Sequence, residues 1–274
     1  MRTSIVKAKL ARDEPALGTC LHLTDPSLHE LVGLMGFDGI WMDMEHHGYS
    51  VQTAQGLMRA ARVGKTDIIA RLARGEFMRM GRILESGAQG IMYPRCNDAD
   101  EAREVVRYAK FAPLGERGFD GGNPDMPYCT MPMDEYIQFA NDETFIIIQI
   151  ETPQALENAQ AIAEVEGVDV LMLGPADFSI MSGIVGQFNH ALIRNAEEKI
   201  AQAARRAGKH WARPVGSPED AKRLLDMGAR LLFTGADILM VKLGLERIQS
   251  QFSELGFTFD NQLSGGAKHY LQKS

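Results

Sequence analysis

The sequence predicts an α/β chain folded as one (β/α)8 TIM barrel, and three observations carry that expectation. Its 274 residues match the roughly 250 that such a barrel needs. Short apolar runs alternate with amphipathic segments through most of the chain, the pattern of strands each followed by a helix. Several runs, such as "FIIIQI" and "VDVLMLG", are apolar without alternation, as strands buried on both faces are.

Taken in order, the expected strands cover 17–23, 38–43, 67–71, 90–94, 144–151, 168–174, 210–214 and 230–235. Each is rich in Ile, Leu, Val or Met, or bounded by Gly and Pro. The expected helices cover 26–35, 51–63, 76–86, 98–109, 154–164, 189–207, 217–227 and 237–250. Asp25-Pro26, Thr152-Pro153 and Ser217-Pro218-Glu219 are helix start signals. In "LMGFDGI", "LESGAQGIMYP", "VEGVDVLML" and "LDMGARLLF" a glycine ends a helix just before a strand, where a left-handed C-cap is wanted. An open doubly wound sheet is the alternative architecture, but no Gly-x-Gly-x-x-Gly follows the first strand. Residues 112–132 hold four Pro and four Gly without period, and a stretch that long is expected to be functional or mobile. The barrel is assigned to 1–252 and a tail to 253–274, expected to be partly disordered or packed on a neighbouring subunit.

Composition narrows the class of function. A net charge of −7 argues against nucleic acid and anionic membrane as partners. Cys20, Cys96 and Cys129 are too few and too scattered for a disulfide framework or a zinc site. No apolar run approaches the roughly 20 residues of a membrane span, and the N-terminus lacks the apolar core of a signal peptide. A soluble cytoplasmic protein is the expectation.

In such a barrel the active site forms at the C-terminal ends of the strands. Four ionisable residues crowd the end of the second strand in "DMEHHG": Asp43, Glu45, His46 and His47. Arg71 ends the third strand, Gln149 and Glu151 the fifth, and Asp177 and Arg213 follow the sixth and seventh. Gln149 and Glu151 are two apart and face one way. Glu151 is either a metal ligand or the partner of an Arg; Asp177, in "GPADFS", is either a second ligand or a helix cap. Two carboxylates without the Cys or His spacing of zinc suit a hard divalent cation such as Mg²⁺ or Mn²⁺. Arg71 is either a planar donor fork for a substrate oxygen or the partner of Glu45 or Glu151. Asp43 could hold the His46 imidazole in one tautomer, whereas His47 reads as a packing or solvated histidine.

"DMEHHG", "ARL", "YPRCNDADEAREVVRYAKFAPLGERG", "IIQIET" and "GPADFS" together resemble the HpcH/HpaI family of class II pyruvate aldolases, the 2,4-dihydroxyhept-2-ene-1,7-dioate aldolase family. The resemblance implies a barrel with one divalent metal on Glu151 and Asp177, Mg²⁺ first and Mn²⁺ or Co²⁺ as substitutes, and no organic cofactor. It implies that pyruvate chelates this metal, with its carboxylate on backbone N–H groups near Gly174 and Ala176. Arg71 would sit on the keto oxygen, Gln149 and Glu45 would order the surrounding waters, and His46 paired with Asp43 would be the general base. A homo-oligomer is implied as well, a hexamer or trimer, with the last helix packed on a neighbour. The reaction implied is reversible cleavage of a 4-hydroxy-2-oxo acid to pyruvate and an aldehyde. Oxaloacetate decarboxylation on the same site and a non-catalytic small-acid-binding barrel are the alternatives. No expected strand end carries a Schiff-base Lys, and no basic site for CoA phosphates is evident. The chain departs from the family in "FDGGNPDMPYCTMP" and "HWARPVG". Asp120, Asn123, Trp211 and Arg213 are therefore expected to shape the acceptor pocket.

Overall fold

The computed structural model describes residues 2–263. Eight parallel strands close in sequence order: β1 (Ala16–Leu21), β2 (Gly39–Asp43), β3 (Asp67–Arg71), β4 (Gly90–Tyr93), β5 (Phe145–Ile150), β6 (Val170–Leu173), β7 (His210–Pro214) and β8 (Leu231–Ala236). Pairing of β8 with β1 removes the sheet edges. The (β/α)8 barrel is therefore the fold.

Among the described residues twelve α-helices accompany the strands. α1 (Ile5–Ala11) precedes the barrel. Around it run α2 (Pro26–Leu34), α3 (Val51–Ala61), α4 (Phe77–Ser86), α5 (Ala99–Ala109), α6 (Met133–Glu143), α7 (Pro153–Glu157), α8 (Ala159–Ala163), α9 (Pro175–Met181), α10 (Ala191–Arg206), α11 (Pro218–Asp226) and α12 (Asp237–Ser253). The three expected start signals are caps: Asp25, Thr152 and Ser217 accept from the backbone N–H groups of Ser27, Ala155 and Asp220. Gly87 and Gly228 take φ of 120° and 91°, which lets the chain leave α4 and α11 for β4 and β8. The helix expected at 154–164 is broken at Asn158 into α7 and α8.

Two cores follow from strand parity. Between strands and helices lies the larger, with Ile40, Ile68, Ile91, Ile148 and Leu171 among its residues. Inside the barrel lie Trp41, Ile69, Met92, Phe145, Ile147, Val170, Met172, Ala212, Leu231 and Phe233. α1 closes the end where the strands begin: Val6 and Leu10 join the inner core, and Ser4 Oγ donates to Asp67 Oδ2 at 2.6 Å. That plug leaves the opposite end, where the strands finish, as the open mouth.

The segment 112–132, expected to be functional or mobile, is packed in part. Phe111 and Met126 form a small core with Tyr136 and Ala140 of α6. Arg117 Nη2 donates to Asp125 Oδ2 at 3.1 Å, and Tyr136 Oη donates to the same oxygen at 2.6 Å. Of the expected tail, residues 264–274 lie outside the described residues.

Candidate active site

Parity brings the first cluster together. Trp41 and Ile69 face the barrel interior, so the next inward positions are Asp43 and Arg71, which are register partners. Arg71 Nε donates to Asp43 Oδ1 at 3.0 Å and Nη2 donates to Oδ2 at 2.6 Å. This two-toothed fork fixes both side chains. The guanidinium lies 4.6 Å from the centre of the Trp41 ring, and Glu45 Oε2 is 3.4 Å from Nε. Burial pushes the Asp43 carboxyl up, and the Arg71 fork more than reverses this, leaving it below the usual carboxylate range.

Glu151 is the opposite case. It is buried just past the end of β5, and burial pushes its carboxyl up to about 7; Arg71 opposes the shift and the charge of Asp177 adds to it. Its Oε2 accepts from the backbone N–H of Arg95 at 2.9 Å. Oε1 lies where a β-carbon on Gly174 would be, 2.1 Å away, so only glycine at 174 gives this carboxylate its room. On the same face the buried Gln149 Oε1 has no hydrogen-bond partner. Two carboxylates and an orphaned amide oxygen are hard donors, and they fit a divalent cation that keeps open positions. Asp177 is in the first turn of α9, whose N-cap is Gly174, so Asp177 is not itself the cap.

A cavity of about 440 Å³ opens at the mouth of the barrel, and Gln149 and Glu151 are not among the residues that line it. Asp43, His46, Arg71, Ala176 and Asp177 line it, as do Cys20, His22, His47 and Thr234, none of which was expected there. His22 follows β1 at the same parity as Cys20, the signal that would have found it. Arg95 was also missed, because its contribution is a backbone N–H held at a positive φ of 48°. Its guanidinium reaches Glu45 Oε1 at 2.8 Å.

Several expectations are corrected. The Asp43 carboxylate does not hold the His46 imidazole; it accepts from the backbone N–H of His46 at 3.3 Å, and Arg71 occupies both oxygens. The His46 imidazole is 56% exposed, with Nε2 3.6 Å from Glu45 Oε2. His47, expected to stand apart, has Nε2 3.9 Å from Asp43 Oδ2. The N–H of Gly174 is taken by Ile150 O at 3.2 Å, extending the β5–β6 ladder, so it is not offered to a substrate carboxylate. Trp211 and Arg213 do not reach the cavity. Ala212 faces the interior, so the residues on either side of it point outward: Trp211 into the outer core and Arg213 onto Glu197 of α10 and Asp220 of α11. Asp120 and Asn123 satisfy their own loop, Asn123 Oδ1 accepting from Asp125 N and Met126 N, and neither lines the cavity.

A parallel barrel with its buried carboxylates and an Arg fork gathered at the strand C-termini defines a (β/α)8 enzyme with its site in the standard place for the fold. Residues 17–242 match the HpcH/HpaI aldolase/citrate lyase family, and the chain belongs to it, as a lyase. It is 33% identical to a hydroxypyruvate/pyruvate aldolase of Delftia acidovorans, over 86% of this chain and 87% of that one. It is 31% identical to a 4-hydroxy-2-oxo-heptane-1,7-dioate aldolase of Escherichia coli, over 90% and 94%. The crystal structure of an HpcH/HpaI aldolase from Desulfitobacterium hafniense superposes with a TM-score of 0.87 at 30% identity, covering 92% of this chain and 98% of the other.

Proposed function

We propose that this chain is a divalent-metal-dependent aldolase that reversibly cleaves a 4-hydroxy-2-oxo acid to pyruvate and an aldehyde. The observation that carries the reading is the buried Glu151, which feels the charges of both Asp177 and Arg71, two residues that line one cavity with Asp43. Glu151 and Asp177 would hold the cation, with Mg²⁺ the first choice and Mn²⁺ or Co²⁺ as substitutes. Such a cation supplies a positive charge next to the oxygen on which the 2-oxo acid gathers negative charge as the carbon–carbon bond breaks.

The chain's own residues supply the rest. Arg71 spends its Nε and Nη2 edge on Asp43, which leaves Nη1 to donate to the keto oxygen. Asp43 keeps the guanidinium from rotating. Ala176 and Asp177 lead α9, ahead of its first intrahelical bond from Phe178 N to Gly174 O, so the Ala176 N–H is available to a substrate carboxylate. Gln149 orders water at the cation. His46, over the cavity beside Glu45, takes the proton from the 4-hydroxyl in cleavage and returns it in condensation. The working form is a homo-oligomer of this chain.

The test is a pair of variants assayed on 4-hydroxy-2-oxo acids beside oxaloacetate. Glu151→Gln should abolish both turnover and the thermal stabilisation given by Mg²⁺ or Mn²⁺. His46→Ala should keep metal and pyruvate binding and lose aldol cleavage by about 10²-fold or more. Full cleavage by His46→Ala would remove it from the base role. Pyruvate release from oxaloacetate alone would move the reading to a decarboxylase.

A further inference from the structure

We propose that His22, Asp43 and His47 form a second metal site, separate from Glu151 and Asp177, that takes a borderline transition metal such as Zn²⁺. One ligand atom from each of the three side chains lies within 4.8 Å of the others. The residues come from adjacent strand ends: His22 directly follows β1, Asp43 closes β2, and His47 stands in the loop after β2. The imidazoles of His22 and His47 lie 4.3 Å apart, tilted by 32°.

Two imidazoles and a carboxylate are the donor set that Zn²⁺ and its neighbours in the first transition row use, whereas Mg²⁺ prefers oxygen alone. Ligand bonds of about 2.0–2.2 Å bring ligand atoms to roughly 3–4 Å from one another. A separation at the 4.8 Å limit must therefore close by roughly 1–2 Å. His47 is the side chain that can supply this, being partly exposed on a loop. His22 is suited to ligation in a second way. Burial first, and then the neighbouring His47, lower its affinity for a proton, so a neutral imidazole with a lone pair is present near pH 7.

The surroundings resemble the outer shell of a metal site. His22 Nδ1 is buried without a hydrogen-bond partner, 3.5 Å from Asp237, so a small ring shift would let that carboxylate orient it. Nε2 then faces the cation, beside the sulfur of Cys20 at 3.3 Å. Three protein ligands leave the fourth position to water or substrate. Arg71 shares Asp43 with the cation, and its charge opposes binding. The site is accordingly weaker than a closed structural zinc site.

The proposal does not depend on the aldolase reading. Wild-type protein saturated with Mn²⁺ is titrated with Zn²⁺ by equilibrium dialysis with metal analysis, and the same is done with His22→Ala and His47→Ala. The expected result is a second equivalent of metal per chain whose affinity falls at least about tenfold in each variant. Mn²⁺ binding to the Glu151–Asp177 pair, read by electron paramagnetic resonance, stays as in wild type and shows that the variants are folded. Glu151→Gln loses that Mn²⁺ signal and keeps the second equivalent. A single equivalent in wild type, or a second one of undiminished affinity in both histidine variants, overturns the proposal. Retention of the Mn²⁺ signal by Glu151→Gln would count against the hard-metal assignment alone.

Discussion

Glu151 and Asp43 are both buried carboxylates within reach of one guanidinium, yet their protonation is driven in opposite directions. Asp43 has the whole Arg71 fork and stays ionised, whereas Glu151 has one backbone N–H on Oε2 and a like charge from Asp177. A carboxyl raised to about 7 from its ordinary 4.5 has a definite pH signature. Without metal, its contribution to stability is full below 4.5 and is lost as pH rises through about 7, because ionisation is then opposed by burial. Metal binding runs the other way, since the ligand must be ionised to bind. The dissociation constant for Mn²⁺ should therefore rise about tenfold per unit as pH falls below about 7 and flatten above it, which titrations from pH 5.5 to 8.5 would measure. Gly174→Ala should weaken the metal at every pH, because its β-carbon would meet Glu151 Oε1 at 2.1 Å. A pH-independent dissociation constant would show that Glu151 is not the ligand.

At the scale of the element, β7 shows what a sequence discloses and what it withholds. The strand was legible, being short and bounded by "GK" and "VGS". Its facing was not, because "HWARP" does not alternate clearly and one position of slip exchanges inside for outside. Arg213 was therefore assigned to the cavity, while in the fold it is buried against Glu197, which Arg223 also holds at 2.7 Å. Arg213→Ala should leave the acceptor KM unchanged and lower the stability of the chain. Breaking a buried ion pair costs about 3–5 kcal/mol, and Arg223, which remains on Glu197, points to the lower end of that range. Urea denaturation beside steady-state kinetics separates the two effects. Asp43, Arg71 and Glu151 were legible for the complementary reason: a charge closing an otherwise apolar run has few innocent explanations. α1 and α6 were not, since α1 is short and the apolar residues of both find their partners far away in sequence, Val6 on the inner core and Tyr136 on Phe111. Arg95 acts through a backbone N–H that no local pattern announces, and His22, though its parity with Cys20 is legible, has ring neighbours that only the closed barrel sets.

For the molecule as a whole, the barrel buries its strands on both faces, yet among the described residues the last helix keeps an exposed apolar face. α12 packs on β8 and β1, and Asp237 anchors its start by accepting from the N–H groups of His22, Leu23 and Ile238. Beyond that anchor, Ile238, Val241, Leu245, Ile248 and Phe252 are each 45–58% exposed along one face. Leu255, Phe257 and Phe259 continue the apolar surface after the helix ends. A contiguous patch of this size is characteristic of an interface rather than of a solvated helix. We propose that copies associate through α12; no helix among the described residues is long and apolar enough to cross a membrane. Sedimentation velocity should find wild-type protein as an assembly that persists to low micromolar concentration, with Leu245→Glu/Ile248→Glu shifted to smaller species. Ile238 and Leu239 line the cavity, so the first turn of the same helix ties the assembly to the site. Turnover should accordingly fall in the double variant as it dissociates and recover with protein concentration. A wild-type monomer at every concentration would leave the apolar face without a partner of its own kind and would refute this assignment.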